Sequence, residues 1–215
     1  MSLKEIGILF DKKLDELNLF PAFPLNVSFD SCAAHDSIKI DDNRIIKKED
    51  LVKIDLGIMF GDGYIGDTAF TINFDQNHQK LINASKKALE NAIEIIKEGV
   101  PLFKIGEIIE ETIKNYGYNP VRNLSGHGLG KYKIHTKPLI PNFNNSDEFL
   151  LKEGMVIAIE PFATNGQGLI EEKGESEIFS QIKFTNTRDL FARKILDIIK
   201  IFNGLPFSKY HLSKF

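Results

Sequence analysis

A single cysteine, Cys32, is the whole thiol complement of this 215-residue chain. No intrachain disulfide can form, and a reducing compartment is favoured. No apolar run reaches the roughly 18 residues that a membrane span needs. Met1-Ser2-Leu3-Lys4-Glu5 lacks the basic-then-apolar layout of a signal peptide, so the expected address is cytoplasmic. Charge of neither sign dominates: 27 Lys and Arg against 30 Asp and Glu leave a net charge of −3. Nothing electrostatic therefore points to nucleic acid or an anionic membrane as partner. Low-complexity tracts, linkers and sequence repeats are also missing. What remains, 42% hydrophobic and 27% charged residues, is the composition of one large globular domain able to bury a sizeable core.

Hydrophobic spacing predicts an amphipathic helix over residues 3–18, ended by the prolines of Phe20-Pro21-Ala22-Phe23-Pro24. Leu25–Asp30 reads as a strand. A long helix is expected over residues 77–98, with Leu81, Ala84, Ala88, Ala92, Ile95 and Ile96 on one stripe and Gly99 as its stop. Pro101 then opens a second helix that runs to Gly117. Residues 119–170 read as short strands and glycine-rich loops, including Met155-Val156-Ile157-Ala158-Ile159-Glu160, and the pattern turns helical again after Gln181. A strand hairpin, two helices, more strands and a further helix make an α+β order.

The chemistry concentrates in a few places. Asp55 in Lys53-Ile54-Asp55-Leu56-Gly57 and Asp67 in Tyr64-Ile65-Gly66-Asp67-Thr68 lie in two strand-like runs either side of a Gly61-Asp62-Gly63 turn. In a hairpin centred on Gly61 the two carboxylates face each other across the ladder, where like charges are destabilising. A divalent cation between them turns repulsion into attraction, and carboxylate oxygens suit it as hard ligands. A bulge that slips the register would instead leave both acids facing solvent.

His127 stands between Gly126 and Gly128, which remove side-chain bulk around an imidazole that can reach a metal or substrate; an ordinary glycine-rich turn with a surface histidine has the same local sequence. No Gly-Lys-Ser/Thr follows, which excludes a phosphate loop. Glu160 closes an apolar run before Pro161, a costly place for an acid unless a Lys, an Arg or a metal pairs with it. His35, after the first strand, is either a substrate hydrogen-bonding group or a partly buried structural histidine. His78 and His211 sit in polar, helical surroundings and are expected to be solvated.

Taken together and in order, Asp55, Asp67, His127 and Glu160 resemble the metal-ligand series of the methionine aminopeptidase family, type II. The matching stretches include Pro21-Ala22-Phe23-Pro24, Ala33-Ala34-His35, Asp67-Thr68-Ala69, Asn123-Leu124-Ser125-Gly126-His127, Ile140-Pro141-Asn142 and Ala158-Ile159-Glu160-Pro161-Phe162-Ala163-Thr164. Gly204-Leu205-Pro206-Phe207 matches a turn in the helical insertion that marks type II.

The resemblance implies the pita-bread α+β fold, a curved antiparallel sheet backed by helices, with residues 1–180 as catalytic domain and residues 181–215 beginning the insertion. It implies two divalent ions (Co, Mn, Fe or Zn) on Asp55, Asp67, His127 and Glu160. His35 and His135 would bind substrate and join Glu160 in catalysis. The implied reaction removes the initiator methionine from nascent peptides that carry a small second residue. Neither nucleic acid nor membrane is expected as partner.

The family's fifth ligand, a late glutamate, has no equivalent here: Glu171, Glu172, Glu175 and Glu177 precede the insertion in the wrong context. A second polypeptide supplying the last strands and that glutamate is one expectation, with exposed sheet edges until it binds. The alternatives are a non-catalytic pita-bread protein that binds a peptide, the ribosome or another protein, and a proline-specific aminopeptidase relative. Intact Asp55, Asp67, His127 and Glu160 favour the enzyme.

Overall fold

The computed structural model describes residues 1–214. Helix α1 (Leu3–Leu17) precedes strands β1 (Phe20–Pro21), β2 (Asn26–Phe29), β3 (Leu51–Phe60) and β4 (Tyr64–Asn73). Helices α2 (Gln79–Ile95) and α3 (Leu102–Asn115) follow. Short strands come next: β5 (Asn119–Pro120), β6 (Ser125–Gly130), β7 (Lys133–Pro141), β8 (Ile157–Ala158), β9 (Ala163–Thr164) and β10 (Ile178–Phe179). Helix α4 (Leu190–Ile199), strand β11 (Phe207–Ser208) and helix α5 (Lys209–Leu212) complete the regular elements described. No described helix is long and apolar enough to cross a membrane.

The chain forms two compact units. The first comprises Met1–Thr71, Gly130–Ile134 and the residues from Gly174 on. Its sheet runs β1-β3-β2, with β4 pairing on β3. Helix α1 starts where Ser2 and Glu5 form a reciprocal capping box, each satisfying an otherwise orphaned backbone N–H. Phe202, Leu205 and Phe207 form a buried cluster on which Phe20, Met59 and Ile65 pack.

His211 departs from the sequence expectation: it is buried, 4% exposed, with its ring stacked 5.6 Å from that of Phe202. Helix α5 spans only Lys209–Leu212, too short for a periodic pattern to show which face is covered. Burial, with the nearby Lys214 ammonium adding to it, pulls the His211 pKa down to about 4.

The second unit comprises Ile72–Leu129 and His135–Lys173. Its core is the seam between α2 and α3: Ala88 and Ala92 meet Ile105, Ile109 and Ile113, all fully buried. Small residues on one helix let branched ones on the other approach, and each buried isoleucine contributes about 1.5–3 kcal/mol relative to exposure. Asn91 Nδ2 donates to Thr112 Oγ1 over 3.0 Å and ties the two helices together. Pro101 is not in the first helical turn. It is the cap residue before α3, held extended (φ −76°, ψ 145°) by a bridge to Leu150. Strand β6 lies between β7 and β8.

Candidate metal centre

In the first unit, β3 and β4 form the hairpin that the sequence predicts. The connection is Gly61-Asp62-Gly63, with its midpoint at Asp62 rather than Gly61. Positive φ angles of 54° and 88° at Gly61 and Gly63 explain the two glycines, since other residues adopt this region at a cost. Asp55 on β3 and Asp67 on β4 are both half-buried on these paired strands. Asp55 lies directly across the ladder from Asn26 of β2, whose Nδ2 donates to Asp55 Oδ2 over a long 3.5 Å.

His35 lies in the loop after β2. It is exposed, with φ +62°. The residues just beyond it are fixed: Val27 N–H donates to the Asp36 carbonyl over 2.8 Å, and Arg44 binds both Asp36 and Asp42. Hydrogen bonding to Asp42 raises the Arg44 pKa above its already high ordinary value, so the clamp stays charged.

In the second unit, His127 of β6 stands opposite Ala158 of β8. Glu160 is two residues beyond Ala158, so an extended chain returns its side chain to the face that His127 uses. His127 Nε2 is indeed 2.9 Å from Glu160 Oε1. Both flanking glycines are required by close approach. A Cβ at Gly126 would stand 2.2 Å from the Ala158 carbonyl oxygen, and one at Gly128 would stand 2.4 Å from the Lys137 carbonyl oxygen. What these glycines accommodate is therefore the backbone of the neighbouring strands, one glycine for each, rather than space around the imidazole. His135 of β7 meets His127 edge-to-face, with ring centroids 4.4 Å apart.

The donor chemistry of this cluster suits a divalent cation. His127 Nδ1 lies 3.1 Å from the Gly128 carbonyl oxygen, which can only accept. A proton on Nδ1 there would turn Nε2 toward a cation, the arrangement usual for metal-binding imidazoles, while a proton on Nε2 makes the Glu160 contact a charge-assisted hydrogen bond. Nε2 and the Glu160 carboxylate oxygen are 2.9 Å apart, a nitrogen and a hard oxygen of the kinds that bind Mn, Fe, Co or Zn.

Among the sequence-predicted residues, His127, His135 and Glu160 thus come together in the second unit, and Asp55 and Asp67 share a hairpin in the first. Asn26 goes unremarked in the sequence. Its one signal is a polar side chain inside an otherwise strand-like run.

Paired strands presenting two acids, and a glycine-flanked histidine facing a glutamate, define a metallopeptidase of the pita-bread α+β class. The chain belongs to metallopeptidase family M24, whose model matches residues 1–188. It is 43% identical to a methionine aminopeptidase of Archaeoglobus fulgidus over 215 residues, 100% of this chain and 73% of that protein. A methionine aminopeptidase of Thermococcus onnurineus is 42% identical, across 99% of this chain and 72% of the relative. The crystal structure of the Thermotoga maritima methionine aminopeptidase superposes with a TM-score of 0.74 at 28% identity, covering 81% of this chain and 74% of that one. A thermophilic Arx1 shares the fold at a TM-score of 0.77 and 18% identity, across 98% of this chain and 69% of the other.

Proposed function

We propose that this chain removes N-terminal methionine from peptides, with Asp55, Asp67, His127 and Glu160 holding two divalent ions. The observation that carries the reading is the His127–Glu160 pair, with Nε2 2.9 Å from the carboxylate and Nδ1 3.1 Å from the Gly128 carbonyl oxygen. The similarity to archaeal methionine aminopeptidases supplies the reaction and the substrate class.

Two such ions, when bound, supply a nucleophile from water near neutral pH and polarise the scissile carbonyl. Asp55 and Asp67 contribute the negative charge that holds them. His127 presents Nε2 along a direction fixed by its backbone. Glu160 doubles as the group that carries a proton to the departing amine. His135 and the exposed His35 donate hydrogen bonds to the peptide around the bond being cleaved. The ions come from Mn, Fe, Co and Zn, all compatible with this mixture of nitrogen and oxygen donors.

The test is methionine release from a Met-Ala-Ser peptide during titration with Mn²⁺. It is run on the chain alone and on the chain mixed with the portion of the Archaeoglobus fulgidus relative that this chain does not match. Release that requires metal and stops with chelator is expected in at least one arm. No release in either arm, with no Mn²⁺ bound, overturns the reading.

A further inference from the structure

Asn26 stands at the centre of a polar row. Across the ladder on one side it faces Asp55, and on the other it bridges to Ser37. Directly opposed residues project from the same face of a sheet, so carboxylate, amide and hydroxyl line up across three chain segments. Asn26 is 3% exposed and Ser37 is 2% exposed. Asn26 Nδ2 donates to Asp55 Oδ2. Asn26 Oδ1 and Ser37 Oγ are buried without a hydrogen-bond partner among the described residues. An apolar side chain at position 26 would avoid burying an unmatched oxygen, so the amide needs a reason to be there.

We propose that Asn26 is a positioning residue of the metal centre, orienting the Asp55 carboxylate for ligation. This rests on the proposed function, in which Asp55 is a ligand. The terminal torsion of an aspartate is broad, so a ligating carboxylate needs something to set its plane. One amide N–H on Oδ2 does so and leaves lone pairs for a cation. A neutral donor is the right kind, because a lysine or arginine in its place would compete with the cation for the carboxylate charge. The same rung has a second effect. Through Ser37, and through the Val27 N–H bond to the Asp36 carbonyl, it registers the segment after His35 to the strand beside Asp55.

The test compares Asn26→Leu, which keeps the side-chain volume and removes the donor, with Asn26→Asp, which keeps the shape and reverses the donor. Ser37→Ala is the control, removing an unpaired hydroxyl of the same row that does not touch Asp55. Mn²⁺ affinity is read by calorimetry, chelated-protein stability by thermal melting, and kcat and KM on the Met-Ala-Ser peptide. Both Asn26 variants are expected to weaken Mn²⁺ binding about tenfold or more and to lower kcat at unchanged KM, while Ser37→Ala stays within about twofold of the parent. The chelated Asn26→Leu protein is expected to melt no lower than the parent. Parental Mn²⁺ affinity in Asn26→Leu, with or without a lower melting temperature, overturns the positioning role and leaves the proposed function standing. Absence of Mn²⁺ binding in the parent chain itself overturns the proposed function, and this inference with it.

Discussion

His127 Nε2 and Glu160 Oε1 are 2.9 Å apart, although neither residue belongs to the short strand β8 that brings them together. The ladder pairs His127 with Ala158, and the chain delivers Glu160 two residues later. In the tautomer protonated at Nδ1 two electron-rich atoms would face one another, and a cation bound by both would relieve their repulsion.

The first prediction concerns that pair. Glu160→Gln keeps the volume and removes the charge, and His127→Ala removes the nitrogen. Each is expected to weaken Mn²⁺ binding by about a hundredfold or more, beyond the usual cost of losing a supporting residue. Chelator should lower the melting temperature of the parent, since a ligand at 100 times its Kd stabilises by about 2.7 kcal/mol. Thermal melts with and without chelator check both points. A Glu160→Gln protein that melts like the parent under both conditions would contradict them.

The second concerns the glycines. Gly126→Ala places a methyl 2.2 Å from the Ala158 carbonyl oxygen, where backbone must move. A loss of about 1–3 kcal/mol is expected, with weakened metal binding as Glu160 shifts. Gly61→Ala meets no atom within 4 Å and bears only the strain of φ +54°. It is expected to cost about 1–2 kcal/mol and leave metal affinity unchanged. Urea denaturation paired with calorimetry separates the two.

The third concerns pH. His211 titrates near 6.5 in the unfolded chain and near about 4 in the fold. Between those values the unfolded chain takes up a proton that the folded one refuses. Its contribution is therefore complete above 6.5 and is lost as pH falls toward about 4. The shift corresponds to about 3 kcal/mol at most. His211→Phe, which can still stack on Phe202, is expected to flatten the fall in urea midpoint across that window. An unchanged slope would show that other groups set the acid response.

The fourth concerns Arg44. Its guanidinium pairs with Asp42, whose side chain is 2% exposed, while Arg44 itself is 36% exposed. Arg44→Met strands a buried carboxylate and is expected to cost about 2 kcal/mol, less than for a fully buried pair because water still reaches the arginine. Adding Asp42→Asn should recover part of that loss. Chemical denaturation of the three variants completes the cycle, and strict additivity would mean the pair is not coupled.

Local patterns made much of this architecture readable. The alanine stripe of α2 and the isoleucines of α3 repeat at helical spacing, and Gly61-Asp62-Gly63 marks its own turn. Glu160 announces itself as an acid at the end of an apolar run, although only Ile157–Ala158 of that run forms a strand, opposite Gly128 and His127 of β6. What escaped depends on distant pairing. Asn26 and Asp55 lie 29 positions apart, and only the register between β2 and β3 shows that the asparagine is buried beside a carboxylate. His211 is covered by a cluster around Phe202 that no local period announces. The Ser2–Glu5 cap is written locally, but hydrophobic spacing passes over it.

β6 lies so close to one neighbour at Gly126 and to the other at Gly128 that neither position has room for a Cβ, which sets the path of the main chain on both sides of position 127. Whatever side chain occupies that position leaves the backbone along the same vector. If His127 ligates as proposed, exchanging the donor, cysteine for histidine for instance, would alter softness and reach but not aim. Shorter donors would fall short of the point that Nε2 occupies unless the strand itself moved.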